Sequence, residues 1–222
     1  MINDYGKTSS CPGPDGLPFS LYKRLSFIAT PILLGIFKEL SKGTPPPSKF
    51  NHSRLYLIPK GDSMQVHDFR PISVTNTDNR ILAKALVTAL TPALEGFLLG
   101  AQKGFIRKRV GTEHIEKLNQ DFYSAIYNNQ KRTVLFLDTK KAFDSIDHDF
   151  ILAVLRKICM PTWIINVIKG LLLDVRVFPV LPARIKNQKG IPIHRGVKQG
   201  CPLSPSFSLF VMTSSWMPWK KT

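Results

Sequence analysis

Thr133-Val-Leu-Phe-Leu-Asp138-Thr-Lys-Lys-Ala-Phe143-Asp-Ser-Ile146 is the stretch on which the fold turns. It opens with a β-favouring apolar run. No polar residue interrupts Val134 to Leu137, and a strand without alternation is one buried on both faces, so 133–138 reads as a central strand. The run ends in a single carboxylate, Asp138, and an aromatic, Phe143, follows five residues later. Acidic residues then thin out. Beyond Asp149 the chain carries Asp174 and no other Asp or Glu.

Working outward, residues 1–17 form a polar arm with a turn cluster at Cys11-Pro-Gly-Pro-Asp-Gly16. Short helices are expected over 19–25 and 32–40, ended by Gly43-Thr-Pro-Pro-Pro47. Strands are expected over 54–59 and 69–74, flanking a polar loop. Asp78 is positioned to cap a helix to about Leu90, with Pro92 opening a shorter helix or marking a kink. Thr112 is the expected N-cap of a helix reaching Tyr127. Asp147 is the expected N-cap of a helix over 148–160, and Pro161 separates it from another over 162–173. Strands over 175–181 and 191–194 pair across the basic loop 184–189, and a last apolar helix spans 203–212. Helices and strands mix without βαβ regularity, so the class is α+β.

With 222 residues the chain makes one large or two small domains. Its net charge is +16, and residues 150–222 hold 11 Lys or Arg against one Asp. Such a surface attracts polyanions, nucleic acid first among them, although a solubilising surface has the same composition. Cys11, Cys159 and Cys201 lack metal or disulfide spacing and read as reduced thiols of an intracellular protein, nuclear or cytoplasmic. The start is not a signal peptide. The nearly apolar run from Phe27 to Phe37 contains Pro31 and Gly35 and is too short to cross a membrane.

Several groups carry chemistry. Asp138, at a strand tip, suits a hard cation such as Mg²⁺, and nucleotidyl transfer uses two such ions about 3.5–4 Å apart; it equally suits a turn cap. Phe143 is either a ring set against a sugar, excluding a 2′-hydroxyl, or a core residue. In Arg195-Gly-Val-Lys-Gln-Gly-Cys-Pro-Leu-Ser-Pro205, Gly196 and Gly200 let backbone approach a ligand, Gln199 offers a donor and an acceptor, and Pro202 starts a helix. Lys60 and Arg70 flank the hairpin loop and can share one triphosphate, or simply be solvated. Gln102-Lys-Gly-Phe-Ile-Arg-Lys-Arg109 joins a basic run to Phe105, a patch suited to a nucleic-acid backbone.

The order of these blocks resembles the reverse transcriptase domain of non-LTR (LINE-type) retrotransposons. The match runs through Gly13-Pro-Asp-Gly16, Leu57-Ile-Pro-Lys60, Phe69-Arg-Pro-Ile-Ser73, Gln102-Lys-Gly-Phe105, Phe136-Leu-Asp-Thr-Lys-Lys-Ala-Phe-Asp144 and Arg195 to Pro205. The resemblance implies an RNA-directed DNA polymerase that extends a DNA primer on an RNA template with dNTPs. It implies right-hand polymerase fingers over about 1–130 and a partial palm, with an incomplete sheet, over 131–222. It makes Asp138 and the Thr139 carbonyl metal ligands for Mg²⁺ and Phe143 the sugar gate. Lys60, Arg70, Gln199 and Gly200 would hold the dNTP, and Gly13, Asp15, Gly16, Lys103, Phe105 and Arg107 would touch template. The family's Tyr/Phe-x-Asp-Asp hairpin is not matched, so the chain is expected to be truncated before that motif and not to polymerise on its own. The alternative is a non-catalytic nucleic-acid-binding remnant of such a protein.

Overall fold

The structure is a computed structural model that describes residues 9–62, 65, 68–97, 102–104, 109–138, 145–180, 189–205 and 207. Two helices open it, α1 (Phe19–Arg24) and α2 (Ser26–Lys42). α2 is longer than the apolar spacing suggests and carries Pro31 inside it. It ends where expected. Gly43 adopts φ 94°, and the amides of Gly43 and Thr44 bond back to the carbonyls of Leu40 and Glu39, a left-handed cap that glycine makes without strain.

The strands β1 (His52–Pro59) and β2 (Phe69–Thr75) pair antiparallel, with Ser53 opposite Thr75 and Pro59 opposite Phe69. The base of this hairpin is buried, whereas its far end is open, with Leu57 and Ile58 about half exposed. The third helix, α3 (Thr77–Phe97), starts one residue before Asp78 and runs through Pro92, so neither a separate helix nor Asp78 as the cap is found. The hydroxyl of Thr91 bonds the Val87 carbonyl at 2.7 Å just before the proline.

α4 (Thr112–Tyr127) has Gly111 rather than Thr112 at its N-cap position. α5 (His148–Lys157) is capped as expected: the Asp147 carboxylate accepts from the amides of Asp149 and Phe150. α6 (Thr162–Leu172) follows Pro161. Two short strands, β3 (Arg176–Pro179) and β4 (Ile191–Pro192), pair antiparallel as the sequence indicates. β3 also runs parallel to β1, giving the sheet order β2-β1-β3-β4. The mixed class is α+β. Of the final apolar helix expected over 203–212, Leu203 lies in a turn, Ser204, Pro205 and Phe207 are helical, and the rest lies outside the described residues.

The expected central strand also fails. Residues 133–138 form no strand, and Leu135, Phe136 and Leu137 are 76, 81 and 70% exposed. An apolar strand is stable only beside a neighbour that pairs with its backbone, and none of the four strands pairs with 133–138. The segment instead returns along α4, with Arg132 beside Asp121 (3.5 Å).

The core gathers α1, α2, α3, α5 and α6 around Leu33, Leu40, Leu86, Ile151, Leu155, Val167 and Ile168. Val197, Leu203 and Phe207 join it, which anchors the glycine-rich segment 195–205 to the helical core.

Candidate functional site

Segment 195–205 is fixed at four points. At its start, Asp147 and Arg195 form an isolated β-bridge, and their side chains pair at 3.4 Å. The Gly196 amide donates to the Ile146 carbonyl at 2.6 Å, and the His148 ring Nε2 lies 2.8 Å from the Gly196 carbonyl. Next, the amine of the part-buried Lys198 donates to the Asn51 carbonyl at 3.2 Å. Burial pushes its pKa down, because a charged amine loses hydration there. Its own carbonyl accepts from Ser204 Oγ at 2.7 Å. Then the Ser73 amide on the outer edge of β2 donates to the Gln199 carbonyl at 2.9 Å. Finally, Gly200 has φ 111°, and a Cβ there would lie 2.7 Å from the Ser73 carbonyl oxygen. Only glycine fits this turn at this distance.

Asn51 holds the base of the arrangement. Its side-chain amide donates to the carbonyls of Gly170 (2.7 Å) and Leu173 (2.6 Å), which end α6, and its Oδ1 accepts from Asn79 Nδ2 (2.8 Å) on α3. Both asparagines are buried, and each supplies polar partners that a packed interior otherwise lacks. Neither Asn51, Asn79 nor Lys198 has a periodicity or motif signal of burial, so the sequence gives no warning of them.

The arrangement opens a cavity of about 660 Å³ lined by Arg70, Lys84, Gln199, Gly200, Cys201, Pro202, Ser204 and Pro205. Of the residues expected to hold a nucleotide, Arg70, Gln199 and Gly200 therefore come together. Lys60 does not line this cavity; it stands exposed past the end of β1, its amide bonded to the Asp68 carbonyl. Lys84, on α3, lines it although no sequence motif singles it out.

Of the other expected site residues, the described ones lie elsewhere. The Gly13 to Gly16 turn sits against the start of α3. The Asp15 amide donates to Asn76 Oδ1 (3.2 Å), the Asp15 carboxylate accepts from the Leu17 amide (3.0 Å), and a Cβ at Gly13 would meet the Asn76 backbone at 2.5 Å. These contacts tie the N-terminal arm to α3. The Lys103 amine is engaged by the Glu113 carboxylate, whose pKa it holds down. Phe105, Arg107, Thr139 and Phe143 lie outside the described residues. Asp138 is exposed and does not line the cavity.

A bound Mg²⁺ takes about six oxygen ligands, carboxylates and waters among them. Among the described residues no group of three or more His, Cys, Asp or Glu is gathered, so these residues do not by themselves make a metal centre. No helix among them is long and apolar enough to cross a membrane.

A family model described as reverse transcriptase (RNA-dependent DNA polymerase) matches residues 58–222. The chain is 33% identical over 211 residues to a retrovirus-related Pol polyprotein from the type-1 retrotransposable element R2 of Popillia japonica, covering 90% of this chain and 27% of that protein. It is 28% identical over 205 residues to the Pol polyprotein of type-2 element R2DM of Drosophila melanogaster, covering 92% and 19%. It is 24% identical over 200 residues to the probable RNA-directed DNA polymerase from transposon BS of the same fly, covering 87% and 22%. The chain thus spans about a quarter or less of the length of these relatives. The ordered motifs, the mixed α+β architecture and the family match over most of the sequence agree: the chain belongs to the reverse transcriptase family, in the non-LTR, LINE-type branch.

Proposed function

We propose that this chain supplies the nucleotide-binding part of an RNA-directed DNA polymerase, with the incoming dNTP in the cavity between β2, α3 and the 199–205 segment. The observation that carries it is the meeting of Arg70 with the sequence-distant pair Gln199-Gly200 on one open cavity. The Arg70 guanidinium forks onto phosphate oxygens. The Gln199 amide orients the base or sugar through hydrogen bonds, and Gly200, without a side chain, lets the ligand approach the backbone.

In this proposal residues 1–130 form the fingers and 131–222 the first part of the palm, with β3 and β4 extending the fingers sheet. Lys60, at the open hairpin tip, reaches toward the outer phosphates of the same nucleotide. Asp138 and the Thr139 carbonyl are the chain's contribution to a Mg²⁺ site, and Phe143 is the sugar gate. Gly13, Asp15, Gly16, Phe105 and Arg107 face template; Lys103 does so on releasing Glu113. Bound Mg²⁺ would stabilise the developing charge of nucleotidyl transfer. Beyond Asp149 the chain offers this site one further carboxylate, Asp174, which is paired with Arg176 at 2.9 Å. Purified 1–222 is therefore expected to bind but not to polymerise.

Equilibrium binding of dTTP to 1–222 tests the proposal. Arg70→Ala and Gln199→Ala should each weaken binding about tenfold, the worth of one charge-assisted or buried hydrogen bond. No change in either variant refutes the site. Mg²⁺-dependent primer extension by 1–222 that Asp138→Ala abolishes refutes the expectation of inactivity.

A further inference from the structure

The cavity contains a cation that the motifs do not supply. Lys84 stands on α3 between the buried Ala83 and Leu86 and faces the same space as Arg70 and Gln199. Its backbone is fixed by a helix whose inner face belongs to the core, and its own side chain is half-buried. The described residues lining the cavity include two cations, Arg70 and Lys84, and no carboxylate. A triphosphate carries several negative charges, and a single guanidinium at the rim leaves most of them without a partner. Lys60 stands at the exposed tip of a hairpin whose far end is open, with Leu57 and Ile58 about half exposed. Lys84 instead projects from a rigid element, so less conformational freedom is lost when it closes on a phosphate.

We infer that Lys84 is a phosphate-binding residue of this cavity, the second fixed cation beside Arg70, and that it contacts the triphosphate of the incoming nucleotide. The inference rests on the nucleotide reading of the cavity given above. A cation there serves the ligand's charge and not its base, so its effect should follow the phosphates alone.

The test is binding of dTTP, inorganic tripolyphosphate and deoxythymidine to full 1–222 in Mg²⁺-free buffer, so that direct charge contacts are read. Lys84→Gln and Lys84→Met, the latter retaining an apolar stem, should each weaken dTTP and tripolyphosphate about tenfold, matching one charge-assisted contact. Both should leave deoxythymidine unchanged. Lys84→Arg should recover most of the loss, and Lys38→Gln, an exposed charge change on α2, should have no effect. If Arg70→Ala weakens dTTP while both Lys84 variants match Lys38→Gln, Lys84 is not a ligand and the cavity assignment stands. If neither Arg70→Ala nor the Lys84 variants weaken dTTP, the cavity assignment fails and the inference falls with it. Weakening of an RNA oligonucleotide without weakening of tripolyphosphate also overturns the inference, since Lys84 would then serve a strand and not the nucleotide.

Discussion

Replacing Gly200 by alanine tests whether the 199–205 segment is pinned to the sheet. Two costs add. The backbone at φ 111° lies where side-chain-bearing residues carry strain of about 1–3 kcal/mol. The new Cβ would also stand 2.7 Å from the Ser73 carbonyl oxygen, which is backbone and cannot swing aside. Relief requires the loop to lift, and lifting breaks the bond from the Ser73 amide to the Gln199 carbonyl, worth about 0.5–1.5 kcal/mol. The total is about 1.5–4.5 kcal/mol, a large part of a small domain's stability. Gly16→Ala is the matched control. Gly16 also has positive φ (77°), but nothing lies within 4 Å of its missing Cβ, so it carries strain alone, about 1–2 kcal/mol. Urea unfolding of both variants beside the parent chain measures the difference, and dTTP binding should fall for Gly200→Ala and hold for Gly16→Ala. If Gly200→Ala unfolds at the same or higher urea than Gly16→Ala, the docking of the loop on β2 is wrong.

Asn51→Ala strips the amide that caps the Gly170 and Leu173 carbonyls and orphans the Asn79 amide, so unfolding free energy should drop by about 3–5 kcal/mol; a loss under 1 kcal/mol in urea melts would contradict the hub. Asp147→Ala should cost about 1 kcal/mol through the lost N-cap, whereas Asp147→Asn should retain most of it, because the ion pair with Arg195 is largely solvated and contributes little. Equal losses in the two variants would place the stabilisation in the ion pair instead. Burial raises the Asp78 carboxyl to about 6, so its stabilising contribution is complete below pH 3.8 and is lost as pH rises through about 6. Asp78→Asn should therefore raise stability at pH 7.5, by at most roughly 3 kcal/mol at 1.36 kcal/mol per pH unit, and flatten the profile. His52, whose pKa burial lowers, acts oppositely and loses stability as pH falls below about 6.5, so the parent-minus-variant difference isolates Asp78. A difference curve flat from pH 4 to 7 would exclude Asp78 as its source.

Much of the local structure is legible in the sequence because local rules govern it. Gly43 ends α2, Asp147 caps α5, Pro161 divides α5 from α6, and the strands flanking the Lys60 loop pair as read. Segment 133–138 is the instructive failure. Its composition is that of a buried strand, but a strand is a relation between two segments, and composition names only one of them.

The family came from the order of short motifs, each of which is a matter of residue identity and spacing, and the sequence alone determined it. Tertiary structure decided which of those residues share a site. It set Arg70 with Gln199 and Gly200, left Lys60 outside their cavity, and added Lys84, whose helical position carries no motif. It also buried Asn51 and set the Lys198 amine on its carbonyl, a contact that no motif signals. The physical reason is that burial and proximity depend on how whole elements pack. The contacts that fix the site, Ser73 to Gln199 and Asn51 to Gly170, join residues far apart in the chain, where no local pattern records the pairing.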